Sequence, residues 1–234
     1  MDRNSDFHNI YKLLKLKYPN VKSSLNFSNE VECWAAVLLS VQNTDKHINT
    51  LTPKLFTRFK TFEDYANSST SEIFEYVKAA NYNKTKAKYL FNGAKVICNE
   101  FKGELPNNLN DLMKLPGVGR KVGNVIFSEM SNVSAGIAID THNLRVWNRI
   151  LYIIPEQNKE YKKLSAKQLE QLLMQNLDKS TWREISLLVI EHGRNICKAQ
   201  KPKCEECLLK TYCAYYMSEV SGQKIHDIPI STRT

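Results

Sequence analysis

Apolar residues recur at helical spacing along most of the chain. Ile10, Leu13 and Leu14 share one face of a first predicted helix, and the same spacing returns at Leu169 and Leu172. We find no clear alternation of apolar and polar residues of the kind that a half-buried strand produces. Clusters of Pro, Asn and Ser separate the helical stretches at short intervals. The pattern predicts an all-α fold with short connections.

Length and apolar content suffice for a folded core. The chain has 234 residues, of which 42% are hydrophobic, so we expect one compact body or two small lobes. The N-terminal segment carries scattered charges, and the longest apolar stretch, residues 31–41, is interrupted by Glu32. We therefore expect no signal peptide and no membrane anchor. The expected location is the cytoplasm or nucleoid of a bacterium, or the nucleus or an organelle of a eukaryote.

The chain is basic. Its 33 Lys and Arg residues exceed its 24 Asp and Glu residues, which gives a formal net charge of +9. This charge suits a polyanionic partner such as nucleic acid, because cationic side chains neutralise phosphates. Many basic proteins bind no nucleic acid, so the charge alone leaves DNA or RNA binding open.

Six cysteines divide into a cluster and two isolated residues. Four of them follow the pattern Cys-x6-Cys-x2-Cys-x5-Cys within residues 197–213, whereas Cys33 and Cys98 stand alone in apolar surroundings. We interpret those two as buried structural residues. The absence of a signal peptide favours a reducing compartment, where disulfides rarely persist. Four thiolates at this spacing ligate either zinc or a cubane iron–sulfur cluster, and their chemistry alone leaves both open.

Residues 115–119, with the sequence LPGVG, separate two predicted helices. Pro116 ends the first helix, and Gly117 and Gly119 permit backbone angles and close approaches that side chains forbid. The amide groups at the start of the next helix then face an anion. A dinucleotide loop is excluded, because Val122 stands where Gly or Ala is required and the preceding segment is helical. An ordinary corner between helices stays open.

Two residues near this hairpin are candidates for chemistry. Lys121, in the first turn of the next helix, either contacts phosphate or acts as an amine nucleophile. The second role needs a neutral amine, which we expect burial and the neighbouring cation Arg120 to favour. Asp140 precedes an amphipathic helix, where it caps the helix or stabilises a cationic transition state. For Asp140 the two roles are compatible.

Three segments together resemble the endonuclease III family of DNA glycosylases. They are LPGVGRK at residues 115–121, IDTH at residues 139–142 and LLSVQNTD at residues 38–45. The resemblance implies that Lys121 attacks C1′ of a damaged nucleotide and forms a Schiff base, after which β-elimination cleaves the strand. It also implies that Asp140 stabilises oxocarbenium character and helps to move protons. The resemblance covers nearly the whole chain, from the LLSVQNTD segment to Cys213.

The same resemblance implies a set of DNA-binding residues. Gln42 would enter the duplex where the base is flipped out, and Tyr82 would be the second wedge. The residues that grip the DNA backbone without reading sequence are Leu115, Gly117, Val118, Gly119 and Arg120. The chain departs from the family pattern at Val122 and Gly123, where the family usually has Thr and Ala.

The cysteine spacing, with EHGR at residues 191–194 before it, resembles the family's cluster loop. It implies a [4Fe–4S] cluster on four ligands, Cys197, Cys204, Cys207 and Cys213. Lys201 and Lys203 lie in the first loop between these ligands, and we expect them to meet the DNA backbone.

The resemblance also implies the organisation and the partner. We expect a helix-hairpin-helix glycosylase fold with two helical lobes, residues 29–134 and residues 1–28 with 135–220, followed by a flexible tail at residues 221–234. The expected activity is removal of oxidised or damaged pyrimidines, with abasic-site lyase activity, by a monomer on double-stranded DNA that contains damaged bases or abasic sites. The alternatives are an adenine-mismatch glycosylase, which lacks the catalytic lysine, and a non-catalytic iron–sulfur DNA-binding module.

Overall fold

The computed structural model describes residues 3–131, 133–151 and 163–222, and in these ranges the regular secondary structure is helical throughout. The α-helices, in chain order, are α1 (Arg3–Lys17), α2 (Glu30–Ser40), α3 (Asp45–Arg58), α4 (Phe62–Ala66), α5 (Thr70–Val77), α6 (Asn83–Glu100), α7 (Leu109–Leu112), α8 (Arg120–Ser131), α9 (Thr141–Leu151), α10 (Ala166–Asn176) and α11 (Trp182–Asn195). Short 3-10 helices lie at Lys179–Thr181, Cys204–Glu206 and Lys210–Tyr212, and a π-helical turn lies at Tyr216–Val220.

Side-chain caps explain where many of these helices begin. A side-chain oxygen accepts a hydrogen bond from the third helical residue's amide at Asn29, Thr44, Thr61, Ser69, Asn108 and Ser165. Thr61 with Asp64 and Ser165 with Gln168 form full capping boxes. The starts of these helices are thus encoded locally.

The chain divides into two compact units. The hairpin unit is Ser23–Ala135, and the terminal unit combines Met1–Lys22 with Gly136–Thr234. Leu25 and Phe27 pack against the core of the hairpin unit, which explains why its boundary precedes the residue 29 that we predicted. Of the tail predicted at residues 221–234, residues 223–234 lie outside the described residues.

The core of the hairpin unit is built around Trp34, which is fully buried. The ring of Phe62 lies 5.5 Å and the ring of Tyr65 5.6 Å from that of Trp34, both in edge-on geometry. A Cβ on Gly93 would lie 2.7 Å from Cζ2 of Trp34. Helix α6 therefore approaches α2 closely only because residue 93 is glycine.

The core of the terminal unit joins α1 to the C-terminal helices. Leu14, Trp147, Leu169 and Leu188 are fully buried there, and the ring of Phe7 lies 5.7 Å from that of Trp147. In the described part of the chain, no helix combines the length and apolarity that crossing a bilayer requires.

Candidate active site and metal centre

The hairpin between α7 and α8 depends on a glycine in a left-handed conformation. Gly117 has φ +82°, and a Cβ at that position would lie 2.4 Å from the ring of Tyr89. A side chain is therefore excluded by both backbone strain and space. At Gly119 an added Cβ meets nothing within 4 Å, so the backbone there lies beside open space that a ligand can enter.

Two of the predicted DNA-binding residues have buried side chains. Leu115 is 2% and Val118 5% exposed, and both belong to the core of the hairpin unit. Their side chains anchor the hairpin, because apolar burial at both positions fixes its backbone. That both residues help to grip the DNA backbone stays a prediction, and burial of their side chains means that they would do so by shaping the hairpin.

Lys121 is exposed on the first turn of α8, next to exposed Arg120. Among the described residues the Lys121 ammonium makes no hydrogen bond or ion pair. We expected burial of this amine, and the chain alone does not provide it. The first turn of α8 contains no acidic residue, so the positive end of the helix dipole is not neutralised there by a carboxylate of the same turn. An anionic group is therefore favoured close to Lys121.

The departure from the family pattern at residue 123 has a packing explanation. A Cβ on Gly123 would lie 2.8 Å from Cδ1 of Leu109. In this chain the Leu109 side chain occupies the space that an alanine methyl would need. The Val122 side chain is buried as well, so both departures from the family pattern lie on the inner face of α8.

Asp140 caps α9. Its Oδ1 accepts hydrogen bonds from the Asn143 backbone amide at 2.7 Å and from Asn143 Nδ2 at 3.1 Å. Asn143 is fully buried and its Nδ2 also donates to the Ser186 carbonyl at 3.2 Å, while Ser186 Oγ donates to the Ala138 carbonyl at 2.6 Å. The carboxylate is thereby fixed, and its Oδ2 has no donor among the described residues. A fixed carboxylate with one available oxygen can stabilise a developing cation.

Lys121 belongs to the hairpin unit and Asp140 to the terminal unit, so the geometry of each is defined within its own unit.

Gln42 and Tyr82 are exposed and share an unusual backbone conformation. Each has φ 57°, in the left-handed region that non-glycine residues rarely adopt. Asn81 brings the two loops together, because its backbone amide donates to Asn43 Oδ1 at 2.9 Å and its Nδ2 donates to the Gln42 carbonyl at 2.7 Å. Lys201 is left-handed as well, with φ 47°. Strained residues of this kind concentrate at functional sites.

The four clustered cysteines line one pocket in the terminal unit, together with Arg149 and Tyr215. Burial, together with the charges of the other three cysteines, raises the pKa of the Cys213 thiol to about 12. In the described part of the chain, no three Cys, His, Asp or Glu side chains converge as ligands of one metal ion do. The four cysteines line one shared cavity, which suits a polynuclear cluster whose positive charge stabilises thiolates.

Sequence reasoning missed the cations that hold the cluster loop. Arg149 donates to Cys197 Sγ at 3.3 Å and to the carbonyls of Lys198 at 2.7 Å and Ala199 at 3.0 Å. Arg145 donates to the Cys197 carbonyl at 3.1 Å. No sequence signal distinguishes these arginines from ordinary polar residues of an amphipathic helix.

The position of His192, a residue of the EHGR segment, was not predicted either. This residue is 1% exposed, its Nε2 lies 3.5 Å from Cys207 Sγ, and its Nδ1 lies 3.4 Å from the Tyr18 hydroxyl. Burial lowers the pKa of His192 to about 4, with a contribution from Lys17. The imidazole is therefore neutral at physiological pH.

The two lysines predicted to meet DNA differ in their surroundings. Lys201 is exposed, and no partner for its ammonium lies among the described residues. Lys203 is also exposed, but its Nζ lies 3.2 Å from a carboxylate oxygen of Glu206. The charge of Lys203 is thus partly neutralised, and Lys201 is the stronger candidate for a phosphate contact.

Comparison with known proteins gives matches over both units. Residues 35–173 match the family model described as HhH-GPD superfamily base excision DNA repair protein, and residues 197–213 match the iron–sulfur binding domain of endonuclease III. Endonuclease III of Synechocystis sp. is 33% identical over 204 residues, 87% of this chain and 90% of that protein. Endonuclease III of Bacillus subtilis is 37% identical over 196 residues, 84% of this chain and 86% of that protein.

Solved structures of related proteins share the fold of this chain. A trapped endonuclease III–DNA covalent intermediate superposes with a TM-score of 0.83 at 30% identity, over 94% of this chain and 99% of that one. A thermostable thymine-DNA glycosylase superposes with a TM-score of 0.80 at 22% identity, over 92% of this chain and 98% of that one.

Proposed function

Since this chain belongs to the endonuclease III family of base-excision repair DNA glycosylases and abasic-site lyases, we propose that it acts as a monomer on oxidised pyrimidines in duplex DNA, with Lys121 as nucleophile. We place it in the cytoplasm or nucleoid of a bacterial cell, or in the nucleus or an organelle of a eukaryotic cell. The observation that supports the nucleophile most strongly is the position of Lys121. The amine is exposed and belongs to the second residue of α8, directly after the hairpin that we propose as the phosphate-binding element.

The proposed chemistry begins at the glycosidic bond. The neutral amine of Lys121 attacks C1′ as the bond to the damaged base breaks, and the base leaves with the bonding electrons. Opening of the sugar gives a Schiff base between Lys121 and C1′. Loss of a C2′ proton then expels the 3′ phosphate and cleaves the strand. Because Lys121 is exposed in the protein alone, we infer that bound DNA excludes the water around it.

Asp140 supports this chemistry as a charge and a base. Its capped position holds the carboxylate rigidly, so little reorganisation is needed when positive charge develops on the sugar. The oxygen that takes no part in the cap is available to accept a proton. Capping and catalysis are thus two uses of one fixed side chain.

The remaining predicted residues bind DNA. Gln42 and Tyr82 fill the gap left by the extruded nucleotide, since extrusion costs stacking energy that a wedge partly restores. Backbone amides of the hairpin, Arg120 and Lys201 contact phosphates. Such contacts position the enzyme but do not select a lesion.

Four ligands would hold the [4Fe–4S] cluster, namely Cys197, Cys204, Cys207 and Cys213. The cluster, when bound, supplies a structural cross-link of the C-terminal loop. Arg149 orients that loop through its bonds to Cys197 and the following carbonyls. This fixes the loop that carries Lys201.

A panel of duplexes, each with one damaged base, tests the proposed substrate class. We expect release of oxidised pyrimidines, followed by a strand break at the same site. Duplexes with an adenine mismatch should be left intact. Release of mismatched adenine without a strand break, together with no activity on oxidised pyrimidines, would contradict the proposal.

Metal content is a second prediction. Anaerobically purified protein should contain about four irons per chain and be yellow-brown. Cys213→Ser should lose most of that iron, because its sulfur lines the pocket. Cys98→Ser is the matched control, since Cys98 lies outside the pocket, and it should keep the iron. Stoichiometric zinc in place of iron would show that the assignment is wrong.

The salt dependence of binding tests the cluster loop. Removing one ion pair between a lysine and a phosphate should reduce the slope of log K against log salt by about 0.9. Lys201→Ala should give a reduction of this size, and adding Lys203→Ala should give less than a second full step, because Glu206 already pairs with Lys203. Lys54→Ala, an exposed lysine on α3, is the control. An unchanged slope in the double variant would show that the cluster loop does not contact the DNA backbone.

A further inference from the structure

Lys86 is a buried lysine that the proposed mechanism does not use. It lies on the first turn of α6 and is only 4% exposed. Its Nζ donates to the carbonyl of Leu39 at 2.7 Å and to the carbonyl of Val41 at 2.6 Å. These carbonyls lie at the C-terminal end of α2, directly before Gln42. A cation there is favoured by the negative end of the helix dipole.

Burial of a cation is costly unless hydrogen bonds or an opposite charge compensate it. Burial lowers the pKa of Lys86 to about 8, because the charged amine is less well solvated there than in water. No carboxylate among the described residues pairs with it. The side-chain amide of Asn43 also donates to the carbonyls of Leu39, at 2.9 Å, and Val41, at 3.2 Å. Two side chains therefore fix the backbone that leads into Gln42.

The second loop is joined to the same helix turn. The backbone amide of Lys86 donates to the carbonyl of Tyr82 at 3.0 Å, an ordinary helical bond that closes the first turn of α6 on a left-handed residue. The Lys86 side chain therefore ties the backbone immediately before Gln42 to the helix turn that begins at Tyr82. Asn81 completes the link through its bonds to Gln42 and Asn43. The two strained, exposed residues belong to one hydrogen-bonded frame.

We propose that Lys86 is a positioning residue that holds Gln42 and Tyr82 together as one rigid wedge. The inference rests on the proposed function, because the proposed function requires Gln42 and Tyr82 to fill the space that the extruded nucleotide leaves in the duplex. A preorganised wedge loses little conformational freedom on insertion, so more of its contact energy is available to keep the nucleotide extruded. The Lys86 side chain itself touches no DNA.

The test compares a duplex with a single strand. An abasic site in single-stranded DNA has no stack to open, so its cleavage needs the nucleophile but no wedge. We expect Lys86→Met to slow base release from an oxidised-pyrimidine duplex by about 10- to 100-fold, as small misplacements do. Cleavage of the single-stranded abasic site should stay within about twofold of wild type. Lys88→Met, two residues further on the same helix and exposed, controls for the lost charge.

Double variants sharpen the result. If Lys86 acts through the wedge, Lys86→Met should add little to the defect of a Gln42→Ala, Tyr82→Ala variant. Asn81→Ala removes a second link of the frame without touching the buried charge, and it should give the same duplex-only defect. If Lys86→Met does not fold, the activity of Asn81→Ala on the duplex and the single strand tests whether the hydrogen-bonded frame positions the wedge.

Several results would overturn the inference. Equal losses on the duplex and the single strand would assign Lys86 a general structural role. Full additivity with the wedge variant, or normal duplex activity in both Lys86→Met and Asn81→Ala, would separate Lys86 from the wedge. Failure of the proposed function looks different, because wild-type protein would then be inactive on both substrates.

Discussion

Lys121→Gln should bind DNA and leave it uncut. We expect strand cleavage at an abasic site to fall by roughly 10³-fold or more, because glutamine cannot form a Schiff base and the nucleophile has no substitute in the mechanism. Binding should persist, since the hairpin amides that we propose as phosphate contacts belong to the backbone and Lys121 carries only one exposed charge. Single-turnover cleavage and equilibrium binding to an uncleavable abasic analogue measure the two effects.

Lys114→Gln is the matched control for Lys121. It removes one exposed lysine from the same hairpin, and its Nζ pairs with Asp111 at 2.7 Å. We expect its cleavage rate to stay near that of wild type. A comparable loss in both variants would mean that charge near the hairpin, and not a nucleophile, sets the rate.

Asp140→Asn should separate catalysis from capping. Asparagine caps helices about as well as aspartate, so we expect the free energy of unfolding to change by no more than about 0.5 kcal/mol. Base release should fall by about 10²- to 10³-fold, because the negative charge that faces the sugar cation is lost. Single-turnover base release and thermal unfolding provide the two readouts.

Asp140→Ala gives the comparison for this residue. It removes the cap as well as the charge, and should cost about 1 kcal/mol of stability. If Asp140→Asn unfolded as easily as the alanine variant and lost activity only in proportion, Asp140 would be a cap and nothing more.

The all-α fold, the endonuclease III family and the [4Fe–4S] cofactor predicted from the sequence are confirmed. The adenine-mismatch and non-catalytic alternatives are not favoured. Such features were predictable because they are local: apolar residues at helical spacing, a proline and two glycines in one hairpin, and four cysteines within one loop. Asp140 was predictable as a cap for the same reason, since its partner Asn143 lies three residues away.

Contacts between distant residues could not be predicted in this way. Tyr89 excludes a side chain at Gly117, and nothing in the LPGVG segment indicates which residue does so. Lys86 has the sequence pattern of an exposed helical lysine, yet it is buried against carbonyls of residues 39 and 41. Conversely, we expected Lys121 to be buried, because burial favours the neutral amine that a nucleophile needs, and its side chain is exposed. Burial of a charged side chain is decided by tertiary packing, which periodicity alone does not reveal.

Covalent trapping identifies the nucleophile itself. Wild-type protein is incubated with borohydride and a duplex that contains an abasic site, and the reduced adduct is digested and mapped by mass spectrometry. We predict a stable protein–DNA adduct whose sugar remnant is attached to Nζ of Lys121, and no adduct from Lys121→Gln. An adduct at another amine, formed in Lys121→Gln at the wild-type yield, would contradict the assignment of Lys121 as nucleophile.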